Sequence, residues 1–135
     1  MPSPEITQLV RQFFDGISCG EVPDQLLTPD MTFWSVNSGE ADKARFLGGI
    51  KVLAQIANKS IQYTFVSLTA EDDRVVAEIT SKGTLISGES ISNNHVFLLR
   101  LRDGKIASAA EYMNQKVVQE KIVPLMQELM AKAAK

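Results

Sequence analysis

The only histidine of this 135-residue chain, His95, and a carboxylate, Glu111, lie on two strand-like runs joined by Asp103-Gly104. An imidazole against a carboxylate is a proton-transfer pair. The carboxylate holds one ring nitrogen, fixes the tautomer and makes the ring a better base. The other nitrogen is then free to move a proton near neutral pH. The bland alternative is a buried polar pair that satisfies itself and fixes strand register. Asn93, one step along the same face, could donate to a carbonyl or enolate oxygen, or simply cap the strand end.

Whether His95 and Glu111 meet depends on the turn. In a two-residue type I′ loop Arg102 pairs with Lys105, His95 faces Tyr112 and Glu111 points the other way. In a three-residue loop Gly104 takes a left-handed bulge position and Leu101 pairs with Lys105. His95 then faces Glu111, Phe97 faces Ala109, Leu99 faces Ala107 and Asn93 faces Met113. A slip of one residue exchanges the faces, so only one loop can hold. The three-residue loop is preferred, because it joins two polar groups and sets large side chains against small ones, leaving room for a cavity.

Other candidates surround this pair. Glu78 alternates with Val76 and Thr80, and reaches a pocket only if that face is concave; otherwise it is an exposed sheet residue. Trp34, the only tryptophan, is a candidate wall for a flat ligand or plain core. Phe13, Phe97 and Met113 are further wall candidates that would equally serve as core. Lys43, Arg45, Lys51, Lys121 and Lys132 read as solvated helix faces. No phosphate-cradling glycine loop, nucleophile elbow or metal-ligand spacing occurs, and no cofactor is expected.

Composition sets the class. The length suits one domain over residues 1–135 with a real core. At 44% hydrophobic and 22% charged residues, with net charge −2, the chain is ordinary for a globular protein and lacks the basic stripe of a nucleic-acid binder. Cys19 is the only cysteine, so no intrachain disulfide can form. The start Met-Pro-Ser-Pro-Glu-Ile has neither a basic nor an apolar region, so no signal peptide is expected there, and no apolar run approaches membrane-spanning length. A cytoplasmic protein without membrane contact is expected.

The elements that must position these residues follow in order. Ser3 caps a helix with Pro4 in its first turn, and Ile6, Leu9, Val10, Phe13, Phe14 and Ile17 recur at helical spacing up to Gly20. A short helix is expected over Glu21 to Leu27, a strand over Met31 to Val36, and a third helix over Glu40 to Asn58. Gly48-Gly49 inside that helix costs about 1 kcal/mol per glycine relative to alanine. It implies either close approach of a ligand or close packing on the sheet. Strands are expected over Ile61 to Thr69 and Arg74 to Ile86, then the central hairpin. Asn114 caps a last helix that Pro124 kinks, with Val118, Ile122, Leu125, Met126, Leu129 and Met130 on its buried side. The tail from Ala131 to Lys135 is expected to fray. Val96-Phe97-Leu98-Leu99 is apolar without alternation, so both sheet faces need cover, helices on one and a second subunit on the other. The pattern is α+β, with helices on one face of a curved, mostly antiparallel sheet.

Leu27-Thr28-Pro29-Asp30-Met31-Thr32-Phe33-Trp34, Asn93-Asn94-His95, Arg102-Asp103-Gly104-Lys105-Ile106 and Glu111-Tyr112-Met113-Asn114, with this order of elements, resemble SnoaL-like proteins. These belong to the nuclear transport factor 2-like superfamily, with ketosteroid isomerase, scytalone dehydratase and limonene epoxide hydrolase as relatives. The resemblance covers nearly the whole chain. It implies a cone-shaped sheet, a cystatin-like α+β barrel with helices on the concave face, an apolar pocket at its mouth and homodimers through sheet faces. It does not transfer a known site. The isomerase base would fall near Ser35 and its oxyanion tyrosine near Phe13; the epoxide hydrolase residues would fall on Glu78, Thr80 and Glu111. The family's Glu-Tyr-x-Asp ends here in Asn114, and a tyrosine is common where His95 stands. The resulting expectation is cofactor-free acid–base chemistry on a small apolar ring-bearing molecule (isomerase, dehydratase or cyclase type). His95 would be the base, Glu111 its orienter and Asn93 the oxyanion donor. The alternative is a non-catalytic binder of a small hydrophobic ligand.

Overall fold

In the computed structural model, which describes residues 2–133, six strands form one open, curved sheet in the order β2-β1-β6-β5-β4-β3. Helix α1 (Pro4–Cys19) starts as its sequence demands. The Ser3 hydroxyl accepts from Ile6 N–H, and Gly20 closes the helix in the left-handed region at φ 86°. A 3-10 turn (Asp24–Leu26) replaces the expected short helix, because Leu27 already enters β1 (Leu27–Ser35). Strand β2 (Gly39–Asp42) was expected as the start of a helix. Its polar Gly-Glu-Ala-Asp pattern reads as a helix entrance, but pairing with β1 holds it extended. Helix α2 (Lys43–Ile56) begins only after Asp42, whose carboxylate accepts from Arg45 N–H at 2.8 Å.

The remaining strands are β3 (Gln62–Glu71), β4 (Arg74–Thr84), β5 (Ser90–Arg102) and β6 (Lys105–Met113). All neighbours run antiparallel except β1 and β6, which are parallel. Extra residues at Val66 in β3 and Ala107 in β6 shift the register, and such bulges bend a sheet. Helices α1 and α2 fill the concave side. Val10, Phe13, Phe14 and Ile17 pack there on Val75, Ala77, Ile79, Phe97 and Leu99. Each large apolar side chain buried this way stabilises by about 1.5–3 kcal/mol.

The preferred hairpin register is overturned. Asp103 (φ 54°) and Gly104 (φ 74°) are both left-handed, which makes a two-residue type I′ loop with Arg102 opposite Lys105. Ala107 then bulges and moves every later pair by one residue. Phe97 thus faces Glu111 and Leu99 faces Ala109, while His95 faces Met113. Turn and bulge together displace the register beyond Ala107 by two residues, which keeps the side chains from Ser108 to Met113 on the expected face, while Lys105 and Ile106, between turn and bulge, exchange faces. His95 and Glu111 therefore remain neighbours, diagonally rather than directly opposed.

After β6 come α3 (Gln115–Val117), a π turn (Val118–Ile122) and α4 (Val123–Ala133). Asn114 caps this segment through Lys116 N–H at 3.0 Å. The wide turn precedes Pro124, which has no N–H for a regular helical bond and crowds the preceding turn. None of the expected apolar residues of this segment is fully buried, and Met130 is 63% exposed. Ala131–Ala133 continue the helix; the fraying expected at Ala134 and Lys135 lies outside the described residues. No helix among the described residues is long and apolar enough to cross a membrane.

Candidate active site

Alternation along the strands decides which side chains reach the interior. On β4, Val75, Ala77 and Ile79 are buried, so Ser81 continues the inward row while Val76, Glu78 and Thr80 face out. On β5 the inward row is Ile91, Asn93, His95, Phe97 and Leu99. On β6 it includes Ala109, Glu111 and Met113, and on β1 Met31, Phe33 and Ser35.

These rows border a cavity of about 350 Å³ between the sheet, α2 and the C-terminal segment. Its walls are mostly apolar, with Phe33, Phe46, Ile50, Phe97, Met113 and Ile122 among them. The volume is at the small end for ligand pockets, enough for a compact molecule. Gln115 donates to the Val36 carbonyl at 2.9 Å and Gln119 to Asn37, so the C-terminal segment is tied to the β1–β2 turn beside the cavity.

His95 is held from both sides. Its Nδ1 lies 2.8 Å from Glu111 Oε2, and its Nε2 lies 2.7 Å from Ser81 Oγ. The three groups come from successive strands β6, β5 and β4, so a hydroxyl, an imidazole and a carboxylate stand in line across the sheet. Their side chains are nearly enclosed, His95 9% and Glu111 16% exposed. An ionised Glu111 and a neutral imidazole together would place the shared proton on Nδ1 and leave Nε2 to accept from the Ser81 hydroxyl. The expectation of a free second nitrogen is therefore corrected: Ser81 occupies it.

Tyr63 and Asn93 flank Ser81 on the same cross-strand rung, Tyr63 from β3 and Asn93 from β5. Burial, with a smaller contribution from the Glu111 charge, pushes the Tyr63 hydroxyl well above its ordinary range and keeps it a donor. Asn93 clamps the end of the hairpin: its Oδ1 accepts from Asn114 N–H at 3.1 Å and its Nδ2 donates to the Asn114 carbonyl at 3.3 Å. Its second amide N–H has no protein acceptor among the described residues.

Of the sequence candidates, His95, Glu111, Asn93, Phe97 and Met113 come together at the cavity. Three do not. Trp34 points to the convex face, because Phe33 and Ser35 take the inward positions of β1; its indole packs on Tyr112 with ring centres 5.1 Å apart. Glu78 is also outside, where it accepts from Ser67 Oγ at 3.0 Å. Phe13 is fully buried core, stacked on Phe46 and edge-on to Phe14. Ser81 and Tyr63 were missed, although the apolar row Val75-Ala77-Ile79 was a readable sign that Ser81 faces inward. Arg45, expected as a solvated residue, borders the cavity, as do Asn37 and Ser38. Ser35, at the isomerase base position, accepts from the Asn37 and Ser38 N–H groups and shapes the turn. Among the described residues no three His, Cys, Asp or Glu side chains gather as a metal site would need.

The SnoaL-like domain family matches residues 10–109. The chain belongs to this family. Solved structures agree on the fold of this SnoaL-like protein. A candidate SnoaL-like polyketide cyclase from Jannaschia sp. CCS1 superposes with a TM-score of 0.76 at 18% identity, over 90% of this chain and 96% of its own. AclR, a candidate hydroxylase from Streptomyces galilaeus, gives 0.73 at 21% identity, over 96% and 92%. An NTF2-like protein from Anabaena variabilis gives 0.72 at 24% identity, over 84% and 94%. These likenesses show an NTF2-like, cone-shaped α+β fold and nothing finer. No curated protein matches the sequence.

Proposed function

We propose that this SnoaL-like protein is an enzyme of cofactor-free acid–base chemistry on a small, mostly apolar, ring-bearing molecule, of isomerase, dehydratase or cyclase type. The observation that carries this reading is the imidazole of His95, held between Glu111 and Ser81 in the wall of an apolar cavity. A carboxylate on one ring nitrogen and a hydroxyl on the other support a base oriented for proton transfer. In this mechanism a proton leaving a carbon next to a carbonyl is taken up at Ser81 Oγ while the hydroxyl proton passes to His95 Nε2. Glu111 offsets the charge of the imidazolium, and the Tyr63 hydroxyl donates to the enolate oxygen. The hydroxylase and cyclase descriptions of the structural neighbours support an enzyme on this scaffold.

The same reading includes a homodimer in the cytoplasm. Trp34, Ala110, Leu98 and Val76 form one rung across the convex face, and Tyr112 and Val96 lie on the next. Val76, Val96 and Tyr112 are 39%, 40% and 51% exposed, and no helix among the described residues covers them. A second copy of this face would bury that strip.

The test is deuterium incorporation, followed by NMR, into small cyclic ketones and enones that raise the thermal stability of the protein. Exchange at the carbon next to the carbonyl by wild type, lost in a folded His95→Gln variant, is expected. Ligands that stabilise the protein without any exchange would favour a non-catalytic binder.

A further inference from the structure

Ser81 does more than fill the second nitrogen of His95. Its Oγ lies 2.7 Å from Nε2, and the opposite nitrogen is held by Glu111 at 2.8 Å. A hydroxyl on one imidazole nitrogen and a carboxylate on the other is the arrangement that turns serine into a nucleophile. The hydroxyl borders the cavity and is nearly buried, at 7% residue exposure. Its neighbours on the same rung, Tyr63 and Asn93, both carry hydrogen-bond donors and both border the same cavity. Directly paired side chains on one sheet face stand about 5 Å apart at Cβ. A carbonyl carbon placed against Ser81 Oγ therefore has its oxygen within reach of a donor on either side.

We propose that Ser81 is a catalytic nucleophile, and that the substrates of this site include small apolar esters, thioesters or lactones. Ser81 Oγ bonds to the carbonyl carbon while its proton passes to His95 Nε2 and the carbonyl π pair moves onto oxygen. The tetrahedral intermediate collapses, and the C–O or C–S bond to the leaving group breaks. The leaving alkoxide or thiolate takes the proton from Nε2, which leaves an acyl group on Ser81. Water then attacks the acyl carbon and gives a proton to Nε2; the bond from that carbon to Ser81 Oγ breaks and the carboxylic acid is released. The proton returns to Ser81. Glu111 orients the ring and offsets its charge in both halves. A lactone follows the same steps with the leaving alkoxide still tethered.

This inference rests on the proton-transfer reading of His95 but makes a separate demand, a covalent bond at one named atom. The test uses the full chain with p-nitrophenyl acetate and p-nitrophenyl butyrate, quenched at short times and read by intact mass and peptide mapping. One acyl group on the peptide carrying Ser81 is expected, absent in Ser81→Ala. Acylation should slow at least about tenfold in Glu111→Gln, whose lost charge-assisted hydrogen bond is of that order. If Ser81→Ala fails to fold, Ser81→Cys replaces it and is expected to carry the acyl group as a thioester that hydroxylamine removes. No adduct on wild type, an adduct elsewhere, or equal acylation of a folded His95→Gln variant overturns the proposal. Wild type that takes no acyl group yet exchanges ketone protons with His95 dependence overturns the nucleophile alone. Failure of both experiments removes the proton-transfer reading as well.

Discussion

Gly48 and Gly49 give the sharpest link between stability and the cavity. A Cβ built on either glycine meets no atom within 4 Å, and neither has a positive φ. Close packing on the sheet, one of the two explanations the sequence allows, is thereby excluded. Both lie inside α2, where glycine is less favourable than alanine by about 0.8–1.0 kcal/mol. Gly48→Ala and Gly49→Ala should each raise stability by about 1 kcal/mol, which for a chain of this size is roughly 3–5 °C in Tm. Only Gly49 borders the cavity. A methyl there should crowd an occupant that touches the helix, and crowding of this kind costs about 1–3 kcal/mol. The affinity for a cavity probe such as anilinonaphthalene sulfonate should then fall by roughly 5- to 150-fold in Gly49→Ala and stay unchanged in Gly48→Ala. Denaturant unfolding and probe fluorescence read both effects. Equal probe affinity in the two variants would refute ligand contact at Gly49, and loss of stability in either would refute the open space above the helix.

Three further outcomes are expected. Glu111→Gln should keep the fold and lower His95-dependent exchange by about 10- to 10,000-fold, between the loss of one charge-assisted hydrogen bond and the loss of the correct tautomer; a less than threefold change in exchange rate would contradict the orienting role. Tyr63 has its hydroxyl pushed upward in the fold, so the folded state holds this proton more tightly than the unfolded chain. Its contribution is present below the ordinary tyrosine range near 10 and is lost as pH rises above it, so Tyr63→Phe should flatten the alkaline fall of Tm. Leu98→Glu on the convex face should give a monomeric mass by light scattering, and wild type is expected to give that of a dimer; a monomeric wild type at micromolar concentration would defeat the dimer.

Much of this was legible because local rules and the tertiary structure agree. Ser3, Pro4 and Gly20 bound α1 as their types require, and the Asp103-Gly104 signal marks the hairpin. The His95–Glu111 contact is also legible, although by a different route from the one expected. The turn took the two-residue form, and the bulge at Ala107, which no residue type announces, restored the shared face. Strand β2 was not legible, since four residues with a polar pattern are held extended only by β1. Trp34 was misplaced because one residue of strand parity separates it from Phe33, and the burial of Met31 and Ser35 sets that parity. Glu78 and Ser81 could have been sorted from the apolar row of β4. The position of Ser81 against His95 was not readable, since it depends on the pairing of β4 with β5.

The most direct test of the relay is nitrogen-15 NMR of the imidazole at a pH where it is neutral. His95 is the only histidine, so one pair of ring signals reports it. The relay through Ser81 requires the proton on Nδ1, facing Glu111, and a bare Nε2. Replacing Ser81 by Ala should move the Nε2 signal and leave the proton on Nδ1. A proton found on Nε2 in wild type would make Ser81 an acceptor, and neither proton relay nor nucleophilic attack could start from that state.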